Sequence, residues 1–104
     1  MRSNAFSMKL RPNCYEEYKR QHDNLWPELI EALRTNGVRS VIFRFGDYLL
    51  VYETFPSDEA MARMHNHPIS ARWNVEMAEL LETDETGKII RQELPRVFSF
   101  GDLG

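Results

Sequence analysis

One cysteine, Cys14, stands among 104 residues, so no disulfide can form within the chain. Charge of one sign is also lacking. The 13 basic and 16 acidic side chains sum to −3, which leaves no cationic surplus for a nucleic-acid partner. Basic residues mostly stand beside acidic ones, as in Glu16-Glu17-Tyr18-Lys19-Arg20, the pattern of a solvated face. No apolar run approaches the roughly 20 residues that cross a bilayer, so no membrane span is expected. The first residues, MRSNAFSMKL, lack the longer apolar segment and small-residue cleavage site of a secretory signal. The cytoplasm is therefore the expected compartment. A phosphate-cradling glycine loop, a serine-hydrolase elbow and a CxxC pair are all missing, which leaves nucleotide chemistry and acyl transfer without a motif. No repeat, low-complexity tract or linker divides the chain, and residues 1–104 read as one domain.

What is present is ordered by period. Phe6, Met8 and Leu10 alternate, which predicts a half-buried first strand. Asn13 with Glu16 three residues later has the spacing of a reciprocal helix cap. From Cys14 onward, apolar or aromatic residues at 15, 18, 22, 25/26, 29 and 33 follow helical spacing. Pro27 cannot sit inside that helix without losing a donor and clashing with the preceding turn. A break is expected at residues 22–26, with Asn36-Gly37 closing the second piece.

Residues 38–45 and 48–54 are rich in β-branched and aromatic side chains, and Gly46-Asp47 between them fits a two-residue hairpin turn. Pro56-Ser57-Asp58 opens a further helical region, which His67-Pro68 interrupts. Ile69, Trp73, Met77 and Leu80 then continue an apolar stripe. Val97 to Phe100 alternates and reads as a final strand, with Pro95 suited to a sheet edge. The order β-α-β-β-α-β is that of the α+β, ferredoxin-like arrangement. Helices on one face leave the other face of the sheet bare, and domains of this kind commonly pair sheet to sheet as homodimers.

The run EEYKRQHDNLWPELIEAL, residues 16–33, raises a chemical question. Tyr18, His22 and Trp26 stand four apart on the inward stripe, where leucines would pack better. Histidine exchanges a proton near neutral pH, and tyrosine can donate or orient a hydrogen bond. A helix end also favours the imidazolium form, which would suit His22 as an acid. The competing reading is a packed histidine satisfied by backbone groups. Arg72-Trp73-Asn74 sets a planar apolar surface beside hydrogen-bonding groups, as sugar sites do, although core packing also accounts for Trp73. Trp26 and Tyr52 carry the same two readings. His65 and His67 flank a helix break without a carboxylate or cysteine at ligand spacing, so they read as loop histidines and no metal is expected. Cys14 reads as an isolated, inert thiol.

Taken together, Ala5-Phe6, Met8, Pro12, Glu16-Glu17-Tyr18, Arg20, His22, Trp26-Pro27-Glu28-Leu29, Gly37, Arg72-Trp73 and Val97-Phe98 resemble the L-rhamnose mutarotase family. The resemblance runs through essentially the whole chain. It implies a cofactor-free, dimeric α/β-barrel enzyme that interconverts the α and β anomers of a 6-deoxy-L-sugar, with L-rhamnose first. It implies that His22 is the proton donor and that Tyr18 and Trp73 contact the sugar, with Asn74 beside them in the substrate site. The chain departs from the family's pattern at Asn74, where a second tryptophan is expected, and at Val41, where a tyrosine is expected. Both changes would take aromatic surface from the pocket. L-Fucose is the competing substrate. A non-catalytic barrel that binds a small ligand and a cofactor-free oxygenase are the alternatives from other classes.

Overall fold

The computed structural model describes residues 1–104. Strand β1 (Arg2–Lys9) leads into helices α1 (Tyr15–Asp23) and α2 (Pro27–Thr35), then β2 (Arg39–Phe45) and β3 (Tyr48–Phe55). Helices α3 (Asp58–Asn66) and α4 (Pro68–Ala78) follow, and β4 (Gln92–Glu93) comes last. The sheet runs β2-β3-β1-β4 with every neighbouring pair antiparallel, the ferredoxin-like order.

Both helical layers are broken where proline dictates. Pro27 and Pro68 each occupy the first turn of a helix, where the missing N–H costs nothing. His67 caps α4 with its own ring, Nδ1 accepting from the Ile69 N–H at 3.0 Å. Ser57 caps α3 by accepting from the Ala60 N–H. The cap expected at Asn13 is not formed. Asn13 takes a left-handed φ of 62°, and Cys14 stands at the N-cap of α1 with no side-chain bond. The entry from Arg11 is a tight turn in which the Cys14 N–H bonds back to the Arg11 carbonyl, and this moves the cap one residue past Asn13.

The hairpin closes with Phe45 paired to Tyr48 across Gly46-Asp47. Gly46 has φ 61° and Asp47 is not in the left-handed region, the signature of a type II′ turn. At the end of α2, Gly37 takes φ 67°, and a Cβ there would lie 2.7 Å from Pro56 Cγ.

One face of the sheet carries the core in two clusters. Met8, Leu10, Tyr18, Leu49, Val51, Met77, Leu80 and Leu81 form the first. Leu29, Ala32, Phe55, Met61, Met64 and Ile69 form the second. Trp73 packs against both. The break at Pro27 puts α1 on the first cluster and α2 on the second, whereas α4 spans both, with Ile69 in the second and Met77 in the first. Burial of each large side chain contributes about 1.5–3 kcal/mol.

The last strand is not where the sequence pattern puts it. Pairing to Phe6-Ser7 is made by Gln92-Glu93, and Leu94 N–H still donates to the Ala5 carbonyl. Pro95 then follows with no N–H to offer, and the chain leaves the ladder. Val97, Phe98 and Phe100 are 94, 80 and 87 % exposed. The terminal residues are tied down instead, with Tyr52 OH donating to the Leu103 carbonyl and Arg96 to the Gly104 carbonyl.

Candidate functional site

Between the two core clusters lies a cleft of about 700 Å³ under α1 and α4, within the range of small-molecule sites. The aromatic stripe of α1 forms its wall. Tyr18 is 95 % buried in the first cluster, at 5 % exposure, yet its hydroxyl makes no hydrogen bond and is not sealed from the cleft. Burial pushes its pKa up to about 12, against a small opposing pull from the charge of Arg91. The phenol is therefore a permanent O–H donor near neutral pH.

His22 sits one turn further on, in the last turn of α1. Its ring stacks on Tyr18 with centroids 4.1 Å apart, and Nδ1 lies 2.8 Å from the Tyr18 carbonyl oxygen. A carbonyl only accepts, so Nδ1 carries the hydrogen and donates it. The Nε2 lone pair is left without a protein partner. Trp73 meets the imidazole edge-on at 5.2 Å, and Trp26 meets Trp73 edge-on at 5.1 Å. These contacts leave His22 half-buried, and burial lowers its pKa below the ordinary 6.5, outweighing the carbonyl bond and the charge of Asp23. The expectation that a helix end would favour the imidazolium is thus reversed. Enclosure by indole and phenol rings disfavours the charged form by desolvation.

Asn74 is exposed at the rim of the same cleft, its Oδ1 accepting from Arg91 at 3.4 Å. Arg91 also lies over the Phe6 ring, 5.8 Å from its centroid. Tyr18, His22, Trp73 and Asn74 are thus brought to one cleft. Val41 also lines the cleft, although it pairs with Tyr52 and strand alternation sets its side chain on the face opposite that of Ile42, which pairs with Val51. His65 is exposed near the end of α3 and His67 is used as a cap. Neither joins a cluster of metal-ligating side chains.

Three cleft residues went unread in the sequence. Arg91 lies in irregular chain before β4 and gives no periodic signal. Glu53 and Ser40 do carry one. Glu53 is in phase with Leu49 and Val51 on β3, so it is an acid at an inward position, and it stands opposite Ser40.

The L-rhamnose mutarotase family model matches residues 3–100. An L-rhamnose mutarotase of Burkholderia orbicola is 35 % identical over 101 residues, covering 94 % of this chain and 97 % of its own. One from Rhizobium johnstonii is 32 % identical over 101 residues, covering 94 and 95 %. The crystal structure of an L-rhamnose mutarotase from Formosa agariphila superposes with a TM-score of 0.80 at 30 % identity, covering 96 % of this chain and 99 % of that one. A Mycobacterium tuberculosis protein with TM-score 0.63 at 16 % identity shares the fold alone. The match of fold and nearly full-length sequence places this chain in the L-rhamnose mutarotase family, whose members are carbohydrate isomerases.

Proposed function

We propose that this protein interconverts the α and β anomers of L-rhamnose, with His22 as its proton-transfer group. The observation that carries the reading is the neutral imidazole whose Nε2 is open to the cleft while Nδ1 is held by the Tyr18 carbonyl. Mutarotation needs one proton taken from the anomeric oxygen O1 and one given to the ring oxygen O5. As the O1–H proton moves to Nε2, the C1–O5 bond breaks and C1 becomes an aldehyde. O5 takes the proton back from the imidazolium, so His22 is donor as well as acceptor. Rotation about C1–C2 and the reverse steps close the ring on the other face. Tyr18, kept protonated by burial, donates a hydrogen bond to the reacting oxygens. Trp73 offers an apolar wall to the sugar's C–H face, and Asn74 a polar rim. General acid–base transfer of this kind contributes roughly 10²- to 10⁴-fold.

The working unit we propose is a homodimer. On the sheet face away from the helices, Val41, Phe43, Phe45 and Tyr48 are exposed, as are Val97, Phe98 and Phe100 in the C-terminal segment. A second copy paired sheet to sheet would cover this apolar surface. No helix is long and apolar enough to cross a membrane. The unpaired thiol of Cys14 suits a reducing compartment, and we place the protein in the cytoplasm.

The test is anomeric exchange by NMR saturation transfer with L-rhamnose and L-fucose in parallel. Faster exchange of L-rhamnose, lost in His22→Ala, is the expected result. Exchange no faster than in buffer for either sugar overturns the reading.

A further inference from the structure

The floor of the cleft is apolar except for Arg44 at one end and one row of polar side chains. Across the three central strands the rows facing the helices are Met8–Leu49–Arg44, Phe6–Val51–Ile42 and Asn4–Glu53–Ser40. The next position toward the second core cluster is Phe55, which packs with Leu29. A half-buried carboxylate thus stands in phase with core leucine and valine, between two apolar clusters. Packing gives no reason for it. Its one hydrogen bond is a long one, 3.4 Å from Asn4 Nδ2, and no lysine or arginine pairs with it.

The placement of α1 shows what lies above that row. Tyr15 is seated on Arg44, 3.9 Å from the guanidinium carbon to the ring centroid, and Tyr18 packs in the cluster that contains Val51. Helix α1 thus runs along these rows from the Arg44 end. The four residues from Tyr18 to His22 advance about 6 Å, and two residues of strand advance about 6.7 Å. That direction carries His22 toward the row of Glu53 and Ser40. Both line the cleft with His22 and Trp73.

We infer that Glu53, with Ser40 beside it, is the hydroxyl-binding floor of the sugar site, the acceptor that orients the ring beneath His22. An ionised carboxylate accepts only, with two oxygens and up to four lone-pair directions. It therefore selects a ligand with adjacent O–H donors. Ser40 can donate to a sugar oxygen or accept from a hydroxyl. Trp73 on the helical side is apolar. A neutral polyhydroxylated ring fits between these surfaces, hydroxyl edge to the sheet and C–H face to the indole. Which hydroxyls lie toward C1 is then set by Glu53, which makes it a specificity-determining residue.

The inference deepens the mutarotase reading and rests on it for the ligand class. The test keeps the two separable by measuring binding as well as turnover. Wild type, Glu53→Gln, Glu53→Val, Ser40→Ala and His22→Ala are compared by saturation-transfer-difference binding and by anomeric exchange of L-rhamnose and L-fucose. Valine suits the strand and the glutamine variant keeps one acceptor, so circular dichroism serves only to confirm folding. Loss of a charge-assisted hydrogen bond predicts KM and the dissociation constant raised roughly 10- to 100-fold in Glu53→Val. Glu53→Gln should be intermediate, and kcat should change less than KM. His22→Ala should keep binding and lose exchange. If wild type exchanges and Glu53→Val binds as well as wild type, Glu53 is not the floor and the mutarotase reading stands. Sugar bound without exchange, and released in Glu53→Val, would instead overturn the reaction and keep the floor. A wild type that neither binds nor exchanges either sugar overturns both.

Discussion

His22 stacks on the ring of Tyr18 at 4.1 Å and donates from Nδ1 to that residue's carbonyl oxygen, 2.8 Å away. The two residues are thus locked twice, ring to ring and ring to backbone. The imidazole tautomer and the direction of Nε2 follow from one turn of helix. The contact sets the protonation chemistry of the site, because the same enclosure that orients the ring desolvates its charged form.

Acid should weaken both activity and fold. The folded pKa of His22 is lowered from 6.5, so the unfolded chain binds this proton more tightly. The stability it contributes is complete above pH 6.5 and is lost as pH falls through the folded value. Anomeric exchange should likewise fall with a midpoint below 6.5. A pH series of exchange rates and of urea midpoints checks this, with His22→Gln removing this component from the urea midpoints. An exchange midpoint above 6.5 would contradict the desolvated imidazole.

Tyr18→Phe separates packing from hydrogen bonding. The ring fills the first core cluster, whereas the hydroxyl has no protein partner. Stability should therefore hold within about 1 kcal/mol, while kcat for exchange drops roughly tenfold through loss of one neutral hydrogen bond. Thermal melts and saturation transfer report the two effects separately. A collapse of stability would give the phenol a structural role instead.

Trp73→Phe keeps an aromatic ring between the clusters but shortens the wall facing His22 and Trp26. One aromatic contact is worth about 0.5–1.5 kcal/mol. KM for the sugar should rise roughly 2- to 10-fold on that basis, with kcat nearly unchanged. An unchanged KM would show that the indole serves packing alone.

Gly37→Ala tests the turn that carries α2 into β2. The left-handed backbone costs an L-residue about 1–2 kcal/mol, and the new methyl would meet Pro56 at 2.7 Å. Destabilisation of roughly 2–4 kcal/mol is expected from strain and overpacking together, read as a lower urea midpoint at unchanged slope. No shift would mean that the turn relaxes freely.

Phe43 and Phe45 are 61 and 77 % exposed on the open face of the sheet. The double variant Phe43→Lys, Phe45→Lys should convert a dimer to a monomer in analytical ultracentrifugation, because two charges cannot be buried against apolar partners without pairing. Wild type sedimenting as a monomer at micromolar concentration would remove the dimer from the proposed function.

Local physics was legible from the residues in order. Pro27 and Pro68 end and restart helices through their own geometry, Gly46 admits the type II′ turn, and helical spacing turns Tyr18, His22 and Trp73 inward. These features depend on interactions within a few residues, so periodicity reveals them. That Tyr18 and His22 stand together was legible to the same extent, since residues four apart on one helix share a face. Tertiary structure decided what depends on distant partners. Val97 to Phe100 has a strand's alternation, yet pairing went to Gln92-Glu93, where β1 offered an unpaired edge before Pro95 closed the ladder. The pKa of His22 follows from how closely Trp73, some fifty residues away in the chain, covers it, a desolvation that no local pattern encodes. Glu53 acquires meaning only through strand register, which sets it with Asn4 and Ser40 in an inward row of the cleft.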